Sequence, residues 1–142
     1  MSYIDQNLVM SDAQAVTSTA VSTKSIDTAT ALRDIGAGEP VELVVVITTT
    51  VAASGGASTT TFALQDSADN TTFTDVVVGP AIAKGSLVAG YEALRIRLPA
   101  GLRRYIAMNY TVATNDWTAG AVTAYLNLNR QNNVARPSGF TV

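Results

Sequence analysis

Arg95, Arg97, Arg103 and Arg104 fall within ten residues of one another and make up four of the nine basic residues of the chain. Each guanidinium offers a planar fork of donors on an apolar stem, which suits a docking face for an acidic surface. The same residues also suit a solvated strand face that protects an edge from pairing. Tyr105 adjoins the cluster, and Tyr110 lies further along the same stretch. Aromatic side chains of this kind anchor interfaces, although Tyr110 fits core packing equally well. Arg130 and Arg136, near the C-terminus, complete the candidate contact set of Arg95, Arg97, Arg103, Arg104, Tyr105, Arg130 and Arg136.

Other chemistry finds little support. The chain has no His and no Cys, which excludes disulfides, thiolate zinc sites, cysteine nucleophiles and histidine general bases. Glu39, Glu42 and Glu92 are the only glutamates, and they read as solvated acids pairing with nearby arginines rather than as a glycosidase pair. Asp66, Asp69 and Asp75 could line a calcium loop, but their spacing fits no EF-hand and matches an Asn/Asp-rich β-turn. Gly36-Ala37-Gly38 and Gly55-Gly56 precede neither a helix nor a Lys-Ser/Thr pair, so neither is a phosphate loop. The expectation is a protein that is not an enzyme and that uses no metal or cofactor.

The arginines must be positioned by strands. Leu94, Ile96 and Leu98 alternate with Arg95 and Arg97, and Ile106, Met108, Tyr110 and Val112 share one face of a second run. Period two is the mark of a half-buried strand. Pro99-Ala100-Gly101 between the runs reads as a turn, so Leu94 to Val112 is expected to be a hairpin with one apolar and one basic side. Elsewhere, strands are expected over Gln14–Val21, Val41–Val51, Thr59–Gln65, Thr72–Val78 and Ala121–Asn129, with a short edge at Ser25–Asp27. Val41–Val51 is apolar on both faces, which implies burial on both sides or a partner over the outer one. Arg33 to Pro40 and Ala113 to Gly120 read as loops. Trp117, within the second, either caps the sandwich or makes an exposed contact. Ala81–Tyr91 is either a short strand between turns or a loop crossing the sheet.

Thr, Val and Ala dominate the 142 residues, and Thr and Val are both stiff at χ1 and suited to strands. The expected fold is therefore all-β: a single-domain antiparallel β-sandwich over residues 1–142, of jelly-roll type, with about eight strands. Residues 1–12 are expected to form an N-terminal arm with at most one short strand, and 130–142 an extended C-terminal tail. Only 14% of residues are charged and the net charge is −2, which argues against nucleic acid as a direct partner. A low-charge surface costs little to desolvate, so it suits a protein packed against others, as well as a simple soluble sandwich. The longest aliphatic run, Leu43 to Ile47, is far too short to span a membrane. With Asp5 and no early Lys or Arg, the N-terminus is not expected to be a secretory signal.

Several stretches together resemble the cement, or decoration, proteins of tailed-bacteriophage capsids, a family of small podovirus-type jelly rolls. They are Ser11-Asp12-Ala13-Gln14-Ala15-Val16-Thr17, Arg33-Asp34-Ile35-Gly36-Ala37-Gly38-Glu39-Pro40, Leu94-Arg95-Ile96-Arg97-Leu98-Pro99 with Arg104-Tyr105-Ile106, Asn109-Tyr110-Thr111-Val112 and Thr118-Ala119-Gly120-Ala121-Val122. The resemblance runs nearly the full length. It implies a virion protein on the exterior of the capsid, made in the host bacterial cytoplasm, that bridges subunits of the phage major capsid protein. It also implies self-association, as homodimers near two-fold positions or as trimers. The alternative, motivated by Trp117, Tyr105 and Tyr110, is a carbohydrate- or receptor-binding sandwich of a phage tail or fibre. If segments 1–12 and 130–142 are held mainly by other chains, limited proteolysis of the isolated protein cuts them first; full resistance in a monomer contradicts this.

Overall fold

The computed structural model describes residues 4–29 and 40–128. Within them lie ten strands: β1 Val9–Ala15, β2 Ala20–Val21, β3 Ile26–Asp27, β4 Val41–Ala53, β5 Thr59–Ser67, β6 Thr74–Val78, β7 Ile82–Ala83, β8 Glu92–Arg97, β9 Tyr105–Ala113 and β10 Trp117–Leu128. Single turns of 3₁₀-helix occupy Gln6–Leu8 and Lys84–Ser86. Two antiparallel sheets result, one ordered β1-β10-β4-β8 (sheet A) and the other β2-β9-β5-β6, with β3 also on β9 and β7 also on β5 (sheet B).

Ten strands reduce to the expected eight once the short ones are grouped. β2 and β3 lie in succession along β9, where Ser22 bridges them: its amide donates to the Met108 carbonyl at 2.8 Å and its hydroxyl accepts the Met108 amide at 3.1 Å. β7 merely extends the edge beside β6. In that grouping the two sheets read 1-8-3-6 and 2-7-4-5, the order of a jelly roll.

The topology corrects the hairpin expected over Leu94–Val112. β8 pairs with β4 in sheet A, whereas β9 pairs with β5, β2 and β3 in sheet B. The segment between them therefore crosses from one sheet to the other. Alternation fixes which face of a strand is buried but not which strand lies beside it, and here the chain continues to the opposite sheet. Two other boundaries move. Val9–Ala15 is strand, so residues 9–12 of the expected arm belong to sheet A, and the expected strand Gln14–Val21 is split by a turn. The loop expected over Ala113–Gly120 ends early, because β10 begins at Trp117.

The inner faces form one core. Leu43, Val45 and Ile47 of β4 and Val122, Ala124 and Leu126 of β10 meet Phe62 and Leu64 of β5 and Ile106, Met108 and Tyr110 of β9. The outer face of β4 is covered by the chain itself: Val44 packs with Val9 and Tyr125, under Ile4 and Val46. That accounts for a strand apolar on both sides.

Two side-chain hydrogen bonds join the sheets through this core. Tyr110 is fully buried, edge-on to Phe62 at 5.9 Å, and its hydroxyl lies 2.7 Å from Ser11 Oγ in sheet A. Ser11 spends its own proton on Gln14 Oε1 at 2.7 Å, so the Tyr110 hydroxyl is the donor. Burial raises the Tyr110 phenol well above its ordinary value. At the other end, Trp117 Nε1 donates to Thr60 Oγ1 at 3.1 Å. Gly120 makes room for that indole: its φ is +149°, and a Cβ there would lie 2.7 Å from Trp117 Cε3.

Each long edge strand is interrupted. Register shifts place an extra residue twice in β1, once in β8 at Ala93 and once in β6 at Val76. Bulges of this kind blunt an edge against pairing with another chain.

Gly120→Ala is expected to lower stability by about 1–3 kcal/mol through overpacking against Trp117, and Tyr110→Phe by about 1 kcal/mol through loss of one buried hydrogen bond. Urea denaturation followed by tryptophan fluorescence measures both; unchanged midpoints contradict the packing described. Proteolysis of the N-terminus should stop short of Val9, where the strand begins.

Candidate functional site

The cluster of arginines that is continuous in sequence is divided in space. Arg95 and Arg97 lie on the outer face of sheet A, opposite Val44 and Glu42. Arg103 and Arg104 follow the crossing and lie at one end of sheet B. Among the described residues, the four arginines are therefore shared between the two sheets. Arg130 and Arg136 lie outside the described residues.

Three of the four arginines are engaged within the chain. Arg95 donates to Glu42 Oε2 from Nε at 3.1 Å and from Nη2 at 2.8 Å, an exposed pair. Arg104 meets Asp27 as a fork, with Nε on Oδ1 and Nη2 on Oδ2, both at 2.8 Å. Its guanidinium also lies over the half-buried Tyr105 ring, 5.0 Å from the centroid. Hydrogen bonding to Asp27 raises its pKa.

Arg103 makes the most complete contact. Its backbone amide donates to Asp66 Oδ2 at 2.9 Å, its Nε to Oδ1 at 2.8 Å and its Nη2 to the Asp66 carbonyl at 2.8 Å. Asp66 is 7% exposed. The Arg103 side chain, then its backbone amide, hold the Asp66 carboxyl below the usual range against the opposing effect of burial. Charge-assisted, forked contacts of this kind are the stronger ones. They fasten the crossing segment to the end of β5. Arg97 differs: among the described residues it makes no ion pair or hydrogen bond.

The Asp66–Asp75 turn is closed by its own groups. Asp69 Oδ1 accepts the amides of Thr71 at 3.0 Å and Thr72 at 2.9 Å and the Ser67 hydroxyl at 2.8 Å. These donors, the Thr72 amide foremost, lower its pKa strongly. Asp75 accepts from Gln65 Nε2 at 2.7 Å. Among the described residues no group of three or more Asp, Glu, His or Cys could hold a metal ion. Glu42 and Glu92 lie beside Arg97 and Val46 in the β4–β8 ladder. At about 3.4 Å per residue their ladder positions are roughly 14 Å apart, wider than a glycosidase pair.

The aromatics that motivated a sugar platform go elsewhere. Trp117 is 3% exposed and Tyr110 fully buried, while Tyr105 is stacked under Arg104. Trp117 thus closes the end of the core. The partners of the arginines escaped sequence reasoning because Asp66 is 37 residues and Asp27 77 residues away from the arginine it binds. No local spacing connects them; only the strand order brings them together.

A family model, Bbp16, matches residues 10–126. That range runs from β1 to within two residues of the end of β10 and so takes in both sheets. The match is compatible with a bacteriophage protein. No curated protein matches the chain.

The Asp66–Arg103 contact has a pH signature. A carboxyl whose native pKa is lowered contributes its full stability above the unfolded value, about 3.9, and loses it as pH falls towards the native value. Wild-type protein is therefore expected to lose more stability between about pH 4 and pH 2 than Asp66→Asn, which cannot take up that proton. Urea midpoints measured against pH check this; equal slopes in the two proteins contradict it.

Proposed function

The chain belongs to the Bbp16 family, and from that premise we propose that it is a capsid cement protein. In this reading it is a virion structural protein on the exterior of an icosahedral bacteriophage head. It bridges subunits of the major capsid protein, associates with itself, and stabilises the shell. The observation that carries the reading is the match to both sheets of a jelly roll whose described charged groups are largely engaged with one another or with the backbone. Such a body is rigid and presents a surface of Thr, Ala, Ser and Asn that is inexpensive to desolvate.

Strength in this role comes from geometry more than from single contacts. A protein that touches two shell subunits converts the second contact into an intramolecular one, which multiplies modest affinities by about 10²–10⁴. No reaction is assigned to the chain in this reading. Arg97 is the described arginine best placed for a shell contact, since its guanidinium has no partner among the described residues.

Electron cryo-microscopy of purified particles tests the proposal. Density for this jelly roll is expected in many copies over the outside of the head; density confined to the tail overturns it. Heads lacking the protein should release DNA at a lower temperature than complete heads, and adding the purified protein back should restore the difference.

A further inference from the structure

Besides the core between the sheets, a smaller apolar cluster lies on the outer face of sheet A. Val9, Tyr125 and Val44 form its floor, side by side in β1, β10 and β4, and all three are buried. Val46, two residues along β4, and Ile4 pack against them. Of these side chains only Ile4 comes from outside the sheet. An apolar strip on an outer face marks a contact surface once it is uncovered, and in this molecule the chain itself provides the cover.

That cover is lightly held. Ile4 is half-buried and precedes a single 3₁₀ turn, Gln6–Leu8, none of whose residues is buried. The turn closes on itself, with the Leu8 amide donating to the Asp5 carbonyl and the Asn7 amide to Asp5 Oδ1, both at 2.9 Å. The ladder with β10 begins at Val9. A segment with few buried contacts and exposed backbone opens locally while the rest stays folded. Val9, Tyr125 and Val44 are held in three paired strands, so the floor stays in place when Ile4 leaves it.

The margin of the strip carries charge. Arg95 faces Val44 across the ladder, and Arg97 faces Glu42, two residues further along the same face. Glu42 is taken by Arg95, and Glu92 has an interaction of its own. The Arg97 guanidinium has no partner among the described residues. In an extended segment, residues two positions apart share a face and lie about 7 Å apart. An aliphatic residue on the strip thus brings its second neighbour to Arg97, where a carboxylate meets a fork of donors.

We propose that this strip docks an extended segment of a partner protein in which an aliphatic residue lies two positions from Asp or Glu, and that Ile4 holds the site as a tethered placeholder which the segment displaces. The inference deepens the cement reading, in which the partner is a shell subunit; only that identity rests on it.

Two dye-labelled serine heptapeptides test it on the full-length protein. One carries Ile at its centre and Asp two positions to either side, and the other has Lys in place of Asp. Ile4→Ser, with its thermal melt in place, should bind the acidic peptide about tenfold more tightly than the wild type, because the site no longer has an occupant to lose. It should prefer the acidic peptide to the lysine one, and adding Arg97→Glu should reverse that preference. Ile4→Cys gives a chain without Cys its only thiol, and the acidic peptide should quicken alkylation of that thiol by iodoacetamide. Equal affinity of wild type and Ile4→Ser, indifference to peptide charge, or an unchanged alkylation rate overturns the inference. Binding to purified heads is measured separately. A chain that takes the acidic peptide and ignores heads retires the cement reading and keeps the docking site; one that binds heads and ignores both peptides loses the docking site and keeps the cement reading.

Discussion

The fold depends on the fit between two sheets whose inner faces must carry both apolar bulk and two polar groups. Tyr110 fills the middle of the sandwich and must place its hydroxyl on Ser11 in the opposite sheet. A buried phenol left without a partner would cost about 1–3 kcal/mol, so the sheets can slide only as far as that bond permits. Ser11 passes the constraint onward through Gln14, whose side chain reaches the Val21 carbonyl at 2.8 Å and the Thr23 amide at 2.9 Å. One chain of hydrogen bonds thus sets β9, β1 and the start of sheet B against one another. Trp117 on Thr60 repeats the arrangement at the far end.

Much of this was legible in the sequence. The alternation of Leu94, Ile96 and Leu98, of Ile106, Met108 and Tyr110, and of Val122, Ala124 and Leu126 identified inward faces correctly, because period two reports on burial alone. The doubled apolar character of β4 also had a cause that sequence could suggest, a covering over Val44, although the cover proved to be Val9, Tyr125 and Ile4. What could not be read was partnership between strands. Pro99-Ala100-Gly101 looks the same whether the next strand returns alongside or crosses the core. The hairpin expectation failed for that reason, and the four arginines it grouped are shared between the sheets.

The arginines show how far that failure extends. Four like side chains close in sequence invite a common role. The crossing sends two to the outer face of sheet A and two to the end of sheet B, where Asp66 and Asp27 receive them. Arg103 and Arg104 become fasteners of the segment that connects the sheets.

The pairing of the first strand with the last carries a mechanical consequence. Val9 lies beside Tyr125, and Ala15 beside Ala121. The chain therefore enters β1 and leaves β10 at the same end of one ladder. Tension applied through the two termini would open that ladder like a zipper, one hydrogen bond at a time. Tension applied across the broad faces would load many bonds together, in shear or against the whole packed core. A molecule built this way yields readily when pulled by its arms and resists when gripped by its sides.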